Sequence, residues 1–409
     1  MKIYQIGGAV RDRLIGVTPV DVDRVVIGAT KEDMKKLGFR PVGKSFPVFL
    51  HPETKEEYAL ARKEIKTGPK HTDFDFCFDK TITLQEDVKR RDFTMNALAY
   101  DEETGEVIDF VGGKKDIQNK IIRHINADHF VEDPLRVLRM CRFSAQLNFK
   151  IHPSTMKLAQ KMVADGMLLY LSKERIFKEI EKSLLTKWFE NFILSMRECG
   201  ALKVILPEID ILFSIPEKEK YHPEKNTGQH TILALMQTKD YAPEVKFAVL
   251  LHDIGKGLTP KNVLPSHTGH ELRGCELVKK VCTRLKVPNR YKKMALLGCE
   301  YHMIARDIPV MKLDEVYDFV SAVTTGFKNK KTMDDLFLIC RADLFGRALP
   351  LSDAEFVNFE VAQKSCYTLF DKMQDIKVTD IPNFLKNNTN KNIQARLKEY
   401  ALAYLQNEI

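Results

Sequence analysis

The fold of this chain is constrained most by a pair of glycines near its start and the two aspartates that follow. A short helix-like run separates the glycines from the aspartates, and one residue separates the aspartates from each other. Gly7-Gly8 ends a strand-like run, and Asp21 and Asp23 follow Pro19 at the start of a second such run. Side chains alternate along a strand, so the two carboxylates point the same way and can share hard divalent cations. Paired glycines ahead of a helix let backbone N–H groups approach a triphosphate. The stretch therefore predicts a phosphate cradle that faces a magnesium site.

Each part alone has an ordinary explanation, because a glycine pair is often only a turn and an isolated D-x-D is often a solvated strand end. The two parts in this order are more specific. GGAVRDRLIG followed by DVDRVVIG resembles the signature of the nucleotidyltransferase superfamily in its class II tRNA form, the CCA-adding enzymes. The resemblance implies that Asp21 and Asp23 are catalytic and hold Mg²⁺, and that Gly8 and Arg11 bind the nucleotide.

Composition bounds the chain without identifying it. With 409 residues, 44% of them hydrophobic, it is long enough for several compact units. Its formal net charge of +8 suits an anionic partner without demanding one. Eight cysteines without a C-x-x-C pair indicate reduced thiols and no zinc finger. We find no signal-peptide pattern and no apolar run of about 18 residues, and expect a cytoplasmic monomer or homodimer without membrane segments.

Residues 1–126 alternate short strand-like and helix-like runs, which predicts an α+β head with a mixed sheet. Within it, Glu57 is either a third metal carboxylate or an ordinary surface glutamate. Residues 63–83 are polar and rich in turn formers, which predicts a long loop. In the CCA-adding family the corresponding region is a mobile loop that helps the enzyme change from C to A addition.

A second motif, RRDFTMNALA, begins at Arg90. Its basic residues end a helix-like run, where cations suit the helix dipole, so a purely structural role is one reading. The motif also resembles the second signature of class II nucleotidyltransferases. That resemblance implies nucleotide binding by Arg91, an organising role for Asp92, which would hold Arg91 or contact the sugar, and a structural role for Asn96.

The third motif, EDPLRVLRMCRF, begins at Glu132 and lies in a helical neck predicted for residues 127–213. Asp133 and Pro134 predict a capped helix start at the N-cap and first helical position. Arg136, Arg139 and Arg142 then recur at three-residue steps, which without context indicates a solvated arginine face.

This neck motif resembles the nucleobase-recognition motif of the CCA-adding family. There an aspartate and the arginine three residues on present acceptor and donor edges to C or A and act as a protein template. The resemblance implies that Asp133 and Arg136 read the base and that Arg139 reaches phosphate or base. Arg175, farther along the neck, is a candidate contact to the tRNA acceptor stem.

Six of the eleven histidines fall within residues 214–345, which we predict to be a third region after the head and the neck. The sharpest element there is His252-Asp253, an adjacent pair at the end of an apolar run and before a glycine turn. It resembles the HD superfamily of metal-dependent phosphohydrolases. The resemblance implies that one metal ion is bound by His230, His252, Asp253 and Asp343. A second metal position would add His270 and His302. The ion would be Ni²⁺ or another divalent transition metal.

One residue departs from the family pattern, because Met303 follows His302 where the multifunctional bacterial enzymes typically have aspartate. Two readings of this region therefore stay open. Either the phosphohydrolase activity persists on the remaining ligands, or the region is an HD-shaped helical scaffold that only binds tRNA. Residues 346–409 predict a helical tail without catalytic residues.

Taken together, the resemblance implies an enzyme that adds or repairs the 3′-terminal CCA of tRNA from CTP and ATP without a nucleic-acid template. The HD region implies an additional phosphatase or 2′,3′-cyclic phosphodiesterase activity. Two alternatives share some of these motifs. One is a poly(A) polymerase of the same superfamily, and the other is a tRNA-binding HD phosphohydrolase with a vestigial head.

Overall fold

The computed structural model describes residues 1–19, 21–42, 48–66, 74–350, 352–376 and 398–402. The chain divides into two compact units, Met1–Ile205 and Leu206–Ile409. None of the helices among these residues combines the length and the apolar character that a membrane span requires.

The first unit begins with a mixed sheet. The strands of the unit are β1 Lys2–Ile6, β2 Asp23–Ile27, β3 Arg40–Val42, β4 Val48–Leu50, β5 Glu57–Leu60, β6 Lys63–Lys66, β7 Phe74–Cys77, β8 Ala99–Tyr100, β9 Val107–Ile108, β10 Ile121–Ile122 and β11 Lys150–Ile151. The strands of the sheet run in the order β3-β4-β5-β2-β1-β8-β9. In this sheet β2 and β5 are parallel and the other neighbouring strands are antiparallel.

The two faces of this sheet are both covered, as the alternation of its side chains requires. Val25 packs with Tyr4 and Ile6 in one buried cluster. Its neighbour Val26 packs with Met34 and Phe49 in another. Because β2 is buried on both sides, its position in the sheet is fixed, and so is the position of Asp23 at its start.

Helices complete the first unit and make up nearly all of it after the sheet. They are α1 Gly8–Leu14, α2 Lys31–Lys36, α3 Leu84–Lys89, α4 Gly113–Gln118, α5 Ala127–Glu132, α6 Leu135–Leu147, α7 Pro153–Ala164, α8 Lys173–Leu184, α9 Phe189–Glu198 and α10 Ala201–Ile205. The prediction of an α+β head followed by helices is confirmed.

Two local predictions were wrong in this unit. The loop expected over 63–83 contains the antiparallel strands β6 and β7, because its alternating residues support a hairpin; its tip, 67–73, lies outside the described residues. Pro134, not Asp133, is the N-cap of α6, so the helix begins one residue later than predicted, at Leu135. Asp133 still caps this helix, since its Oδ1 accepts a hydrogen bond from the Leu135 N–H at 3.1 Å.

The second unit is helical in the residues that the structure describes. Its helices are α11 Pro207–Asp210, α12 Thr227–Met236, α13 Pro243–Leu251, α14 His270–Arg284, α15 Asn289–Tyr301, α16 Ile304–Asp307, α17 Leu313–Val323, α18 Lys330–Phe345 and α19 Asp353–Asp375. Gly255 lies so close to α14 that a Cβ on it would meet the His270 carbonyl oxygen at 1.9 Å. This contact brings the end of α13 and the start of α14 together, and with them the histidines they carry.

Candidate functional site

The glycine turn brings together backbone, a cation and a carboxylate. Gly7 has a φ of +82°, and a Cβ built on it would meet Arg91 Nη1 at 3.7 Å and Asp23 Oδ2 at 4.0 Å. Only a residue without a side chain leaves this space open and adopts this φ without strain. Asp23 itself is exposed at the first residue of β2, opposite Ile6 of β1. The turn can therefore admit a phosphate group between Arg91 and a carboxylate that suits Mg²⁺.

Asp21 lies two residues before β2 begins, so the strand alternation that led us to pair it with Asp23 does not extend to it. The reason is that β1 ends at Ile6, opposite Asp23, and the chain turns at Gly7. Asp21 is exposed. Among clusters of three or more candidate metal ligands in the described residues, none includes Asp21, Asp23 or Glu57. Glu57 is exposed at the start of β5.

Arg11 is buried beside the turn. Its Nη2 is 3.6 Å from the position of a Cβ on Gly8, and its Nη1 donates to Asn96 Oδ1 at 2.7 Å. Its Nε donates to Asp12 Oδ1 at 2.8 Å. These donors are engaged inside the protein, so Arg11 is fixed beside the glycine turn and adds positive charge there.

The arginines of the second motif are held by a carboxylate that sequence reasoning did not single out. Asp87, in α3, pairs with both Arg90 and Arg91. Burial alone would raise the pKa of Asp87, but the charges of Arg91 and Arg90 outweigh it and lower that pKa. Asp92 does not hold Arg91, as one reading proposed. It pairs with Arg139 of α6, whose Nε donates to it at 2.7 Å.

The arginines of the neck motif donate hydrogen bonds to other residues of the protein. The prediction of a solvated arginine face was therefore wrong. Arg136 donates to the carbonyl oxygens of His129 and Arg90, the second at 2.9 Å. Arg142 is buried and donates to Glu179 at 2.7 Å. These contacts fix the direction of each guanidinium before any ligand binds.

Asp133 is held from both of its oxygens. Oδ1 accepts from the Leu135 N–H, and Oδ2 accepts from Arg175 Nη2 at 2.8 Å. Arg175, which the sequence suggested for the acceptor stem, is therefore a partner of Asp133. Each carboxylate oxygen has two lone pairs, so an acceptor position remains on each for a nucleobase.

In the second unit, four predicted ligands meet. The ligand atoms of His230, His252, Asp253 and Asp343 all lie within 4.8 Å of one another, and those of Asp253, His270 and His302 form a second such set. Asp253 belongs to both. The structure therefore brings together all six residues that the HD resemblance implied.

Backbone and carboxylate acceptors orient the four rings. His252 Nδ1 lies 2.7 Å from the Val249 carbonyl oxygen, and His270 and His302 Nδ1 lie 3.0 and 3.1 Å from those of His267 and Gly298. A carbonyl oxygen can only accept, so each Nδ1 donates and each neutral ring keeps its lone pair on Nε2. His230 Nδ1 lies 3.1 Å from the Glu224 carboxylate in the same way. All four Nε2 atoms thus serve as potential ligands.

Several buried polar atoms in this cluster lack partners. His252 Nε2 and both oxygens of Asp253 are buried without a hydrogen bond. Lys256 Nζ lies 2.9 Å from Asp253 Oδ2 and balances the charge of that carboxylate. Burial lowers the pKa of His252, but the Asp253 and Asp343 charges outweigh it and raise that pKa to about 10. This anionic set of nitrogen and oxygen donors fits a divalent transition metal.

A cavity of about 620 Å³ opens onto this cluster. Asp253, His302 and Asp343 line it on the ligand side, and Lys218, Arg306 and Phe359 are among its other lining residues. Met303 also lines it, so the departure from the family pattern faces the same space. A pocket with metal ligands on one side and cations and an aromatic ring elsewhere can take a phosphorylated nucleoside.

Family models match three successive parts of the chain. They are the Poly A polymerase head domain over residues 3–123, the "Probable RNA and SrmB- binding site of polymerase A" over 148–212 and the HD domain over 227–346. With the two sites described above, these matches define a nucleotidyltransferase that carries an HD domain.

Full-length relatives narrow this class. The chain is 46% identical to the multifunctional CCA protein of Teredinibacter turnerae, over 85% of this chain and 85% of that protein. It is 42% identical to the multifunctional CCA protein of Acinetobacter baumannii, over 94% and 93%. The chain belongs to the multifunctional CCA protein family, and it is an enzyme of the tRNA nucleotidyltransferase class.

Solved structures share its fold. The CCA-adding enzyme of Bacillus stearothermophilus in complex with CTP has a TM-score of 0.66 at 22% identity, over 99% of this chain and 89% of that one. The CCA-adding enzyme of Thermotoga maritima complexed with tRNA has a TM-score of 0.62 at 21% identity, over 98% and 87%.

Proposed function

We propose that this chain completes or repairs the 3′-terminal CCA of tRNA from CTP and ATP, in the cytoplasm and without a nucleic-acid template. The observation that carries the proposal is the convergence of the Gly7 turn, Arg91 Nη1 and Asp23 Oδ2 on one open space. Its family membership supports CCA addition over the poly(A) polymerase alternative.

Asp21 and Asp23 would hold Mg²⁺, which when bound supplies charge neutralisation at the triphosphate and activates the tRNA 3′-hydroxyl. The backbone N–H group of Gly8, at the start of α1, and the guanidinium of Arg91 bind the phosphates. The tRNA 3′-oxygen attacks the α-phosphate in line, its proton is lost, and pyrophosphate leaves. Holding the two reactants in this alignment is the main contribution of the protein.

Base choice falls to Asp133 and Arg136, with Arg139 close by. Asp133 offers acceptors, and Arg136 offers the donors that its two carbonyl partners leave unused. Because Arg175 and the Arg90 carbonyl fix both side chains, the wrong base leaves buried polar groups unpaired. The tRNA is bound through its backbone and shape, which makes its affinity sensitive to salt.

The second unit supports a second activity, metal-dependent removal of phosphate or opening of 2′,3′-cyclic phosphate at damaged 3′ ends. His252 Nε2 and the two oxygens of Asp253, which are buried without a hydrogen bond, favour this activity over a scaffold that only binds tRNA. His230, His252, Asp253 and Asp343 would hold one ion, Ni²⁺ or a similar metal, and His270 and His302 a second. The bound metal would activate water. The cationic side chains that line the cavity, Lys218 and Arg306, would bind the phosphate.

The first test uses tRNA that lacks its last one, two or three nucleotides, incubated with each labelled nucleoside triphosphate in turn. We expect CMP to enter at the first two positions and AMP at the third. Incorporation of AMP alone would favour the poly(A) polymerase. Absence of incorporation, with cyclic phosphate still hydrolysed, would favour the vestigial head.

The second test follows phosphate release from a 2′,3′-cyclic nucleotide and from a 3′-phosphate with Ni²⁺, Mn²⁺ or Mg²⁺. We expect activity with at least one of these metals and its loss in His252→Ala. A purified chain that is inert with every metal while it still extends tRNA would show that the second unit is a scaffold.

A further inference from the structure

One fully buried carboxylate lies beneath the nucleotidyltransferase site and contacts neither Asp21 nor Asp23. Asp87, in α3, has no exposed surface. Its Oδ2 accepts from Arg91 Nε at 3.3 Å and from Arg91 Nη2 at 3.1 Å. Its Oδ1 accepts from Arg90 Nε at 3.0 Å, from Arg90 Nη2 and from the Arg62 N–H at 3.3 Å. Each oxygen thus has its own cation.

The contact with Arg91 decides where that guanidinium points. Asp87 takes the edge formed by Nε and Nη2, which leaves Nη1 directed at the glycine turn and Asp23. An arginine side chain has several rotatable bonds, and an exposed one samples many rotamers. Two N–H donors of the planar guanidinium, both bound to Asp87 Oδ2, fix the fork in one orientation.

The contact with Arg90 reaches the base-reading motif. The Arg90 carbonyl oxygen accepts from Arg136 Nη2 at 2.9 Å, so the segment that Asp87 anchors also holds Arg136. The third contact, with the Arg62 N–H, lies next to β6, which begins at Lys63. One carboxylate therefore joins the phosphate-binding arginine, the support of the base-reading arginine and the root of the β6–β7 hairpin.

We propose that Asp87 is a positioning residue for nucleotidyl transfer, which fixes Arg91 against the triphosphate and keeps Arg136 in register with it. The inference rests on the proposed function. A purely structural ion pair would stabilise the head equally well without affecting how nucleotides bind. The two roles differ in what Asp87→Asn changes, because asparagine has the same shape and keeps one oxygen but lacks the charge that holds two arginines.

The test measures kcat and KM for CTP and ATP on truncated tRNA, in the full chain, for wild type, Asp87→Asn and Asp87→Ala. We expect the KM for both nucleotides to rise about tenfold in Asp87→Asn, as loss of a charge-assisted contact predicts. Selection of CTP over UTP is expected to narrow as well. In the Arg91→Ala background, adding Asp87→Asn should raise the nucleotide KM by less than about threefold, because the contact with Arg91 is already lost, while the preference for CTP over UTP should still narrow through Arg90 and Arg136.

Asp116→Asn is the matched control. Asp116 is also a buried carboxylate of the first unit, paired with Arg123 at 3.0 Å and Thr94 at 2.7 Å, and it contacts none of Arg90, Arg91 and Arg136. Thermal unfolding and circular dichroism of all variants measure the purely structural effect, and Asp87→Asn remains the test if Asp87→Ala fails to fold.

The outcomes separate cleanly. A nucleotide KM that rises in Asp87→Asn and stays near the wild-type value in Asp116→Asn, at similar losses of stability, supports the positioning role. Unchanged KM in Asp87→Asn, or equal changes in both variants, overturns it. A wild-type chain that adds no nucleotide would instead defeat the proposed function, which the first test detects without any variant.

Discussion

The Nε2 atoms of His270 and His302 lie 3.2 Å apart while the Nδ1 atom of each ring donates to a backbone carbonyl oxygen. In their neutral forms, both rings would direct a lone pair at the other. Asp253 Oδ1, 3.2 Å from one ring and 3.5 Å from the other, adds a further electron-rich atom. Such a group of acceptors is stable only around a proton or a cation, and the ligand types favour a metal.

Metal binding should therefore stabilise the second unit. At a free Ni²⁺ or Mn²⁺ concentration well above the dissociation constant, we expect the Tm of that unit to rise by about 5 °C or more, because the ion binds the folded state alone. Differential scanning calorimetry with and without a chelator measures this, whether or not the unit is catalytically active.

Two variants test whether the metal binds at this cluster. Asp253→Asn should remove the metal-dependent rise in Tm, since Asp253 belongs to both ligand sets. His152→Ala removes an imidazole from the first unit and should leave the rise intact. A metal-dependent rise that survives Asp253→Asn would place the ion elsewhere.

Much of both candidate sites was predictable from the sequence, because many of their residues stand in short motifs. His252 and Asp253 are adjacent, and Gly7, Gly8 and Asp23 lie within one β-α-β segment. Their positions follow from the ends of strands and helices. The grouping of His230 with Asp343, 113 positions apart and 2.7 Å between Nε2 and Oδ1, was predictable only through resemblance to a known fold.

What the sequence could not provide was the choice among equivalent partners. Asp87 and Asp92 flank Arg90 and Arg91 in the sequence, and only the fold shows that Asp87 holds Arg91 while Asp92 holds Arg139 of α6. Glu224, behind His230, lies in a charged stretch that indicated only a domain boundary. A glutamate six residues before a histidine, and lysine and glutamate neighbours beside it, give no local signal of a ring-orienting role.

The carboxylates at the glycine turn should carry the nucleotidyl transfer. Replacing Asp21 or Asp23 by asparagine removes a metal-binding charge, and we expect kcat for CMP and AMP addition to fall at least about a thousandfold. Primer extension of truncated tRNA under single-turnover conditions measures this. Phosphate release by the second unit is expected to stay at the wild-type rate, which shows that the loss is confined to the first unit, and circular dichroism checks that the first unit is folded.

Glu57→Gln is the matched control for that pair, since Glu57 is an exposed carboxylate on the neighbouring strand and belongs to no ligand cluster among the described residues. Its effect on kcat should stay within about threefold, as for an ordinary surface substitution. A thousandfold loss would restore Glu57 as a third metal carboxylate.

Arg175 should affect base choice through Asp133. Arg175→Ala frees Asp133 Oδ2, and because the carboxylate is no longer fixed, kcat/KM for CTP should fall about tenfold and the preference for CTP over UTP should narrow. Lys178→Ala, an exposed cation one turn farther along α8, is the control and should lower affinity for tRNA without changing that preference. If the preference for CTP over UTP were the same in both variants, Arg175 would have no part in base choice.

Met303 should matter little to hydrolysis, because both ligand sets are complete without position 303. Met303→Asp places a carboxylate in the cavity beside His302. We expect the rate of phosphate release to change by less than about threefold. A large gain would show that the departure from the family pattern has cost this chain a functional group.

Acid stability of the first unit should depend on Asp92, which is buried against two arginines. Burial alone would raise the pKa of Asp92, but the charges of Arg139 and Arg136 outweigh it and lower that pKa. The stabilisation is therefore complete above the pKa of an unfolded aspartate, about 3.9, and is lost as the pH falls from there through the folded pKa.

Asp92→Asn should accordingly reduce the free energy of unfolding at pH 7 and make it depend less on pH below about pH 3.9, since the variant has no proton to bind at this position. Urea unfolding followed by circular dichroism at a series of pH values measures both effects. Asp128→Asn, which changes an exposed aspartate of the same unit, should keep the wild-type dependence. If Asp92→Asn kept that dependence as well, the acid sensitivity of this unit would lie in other carboxylates, and the contact between Asp92 and Arg139 would not contribute to it.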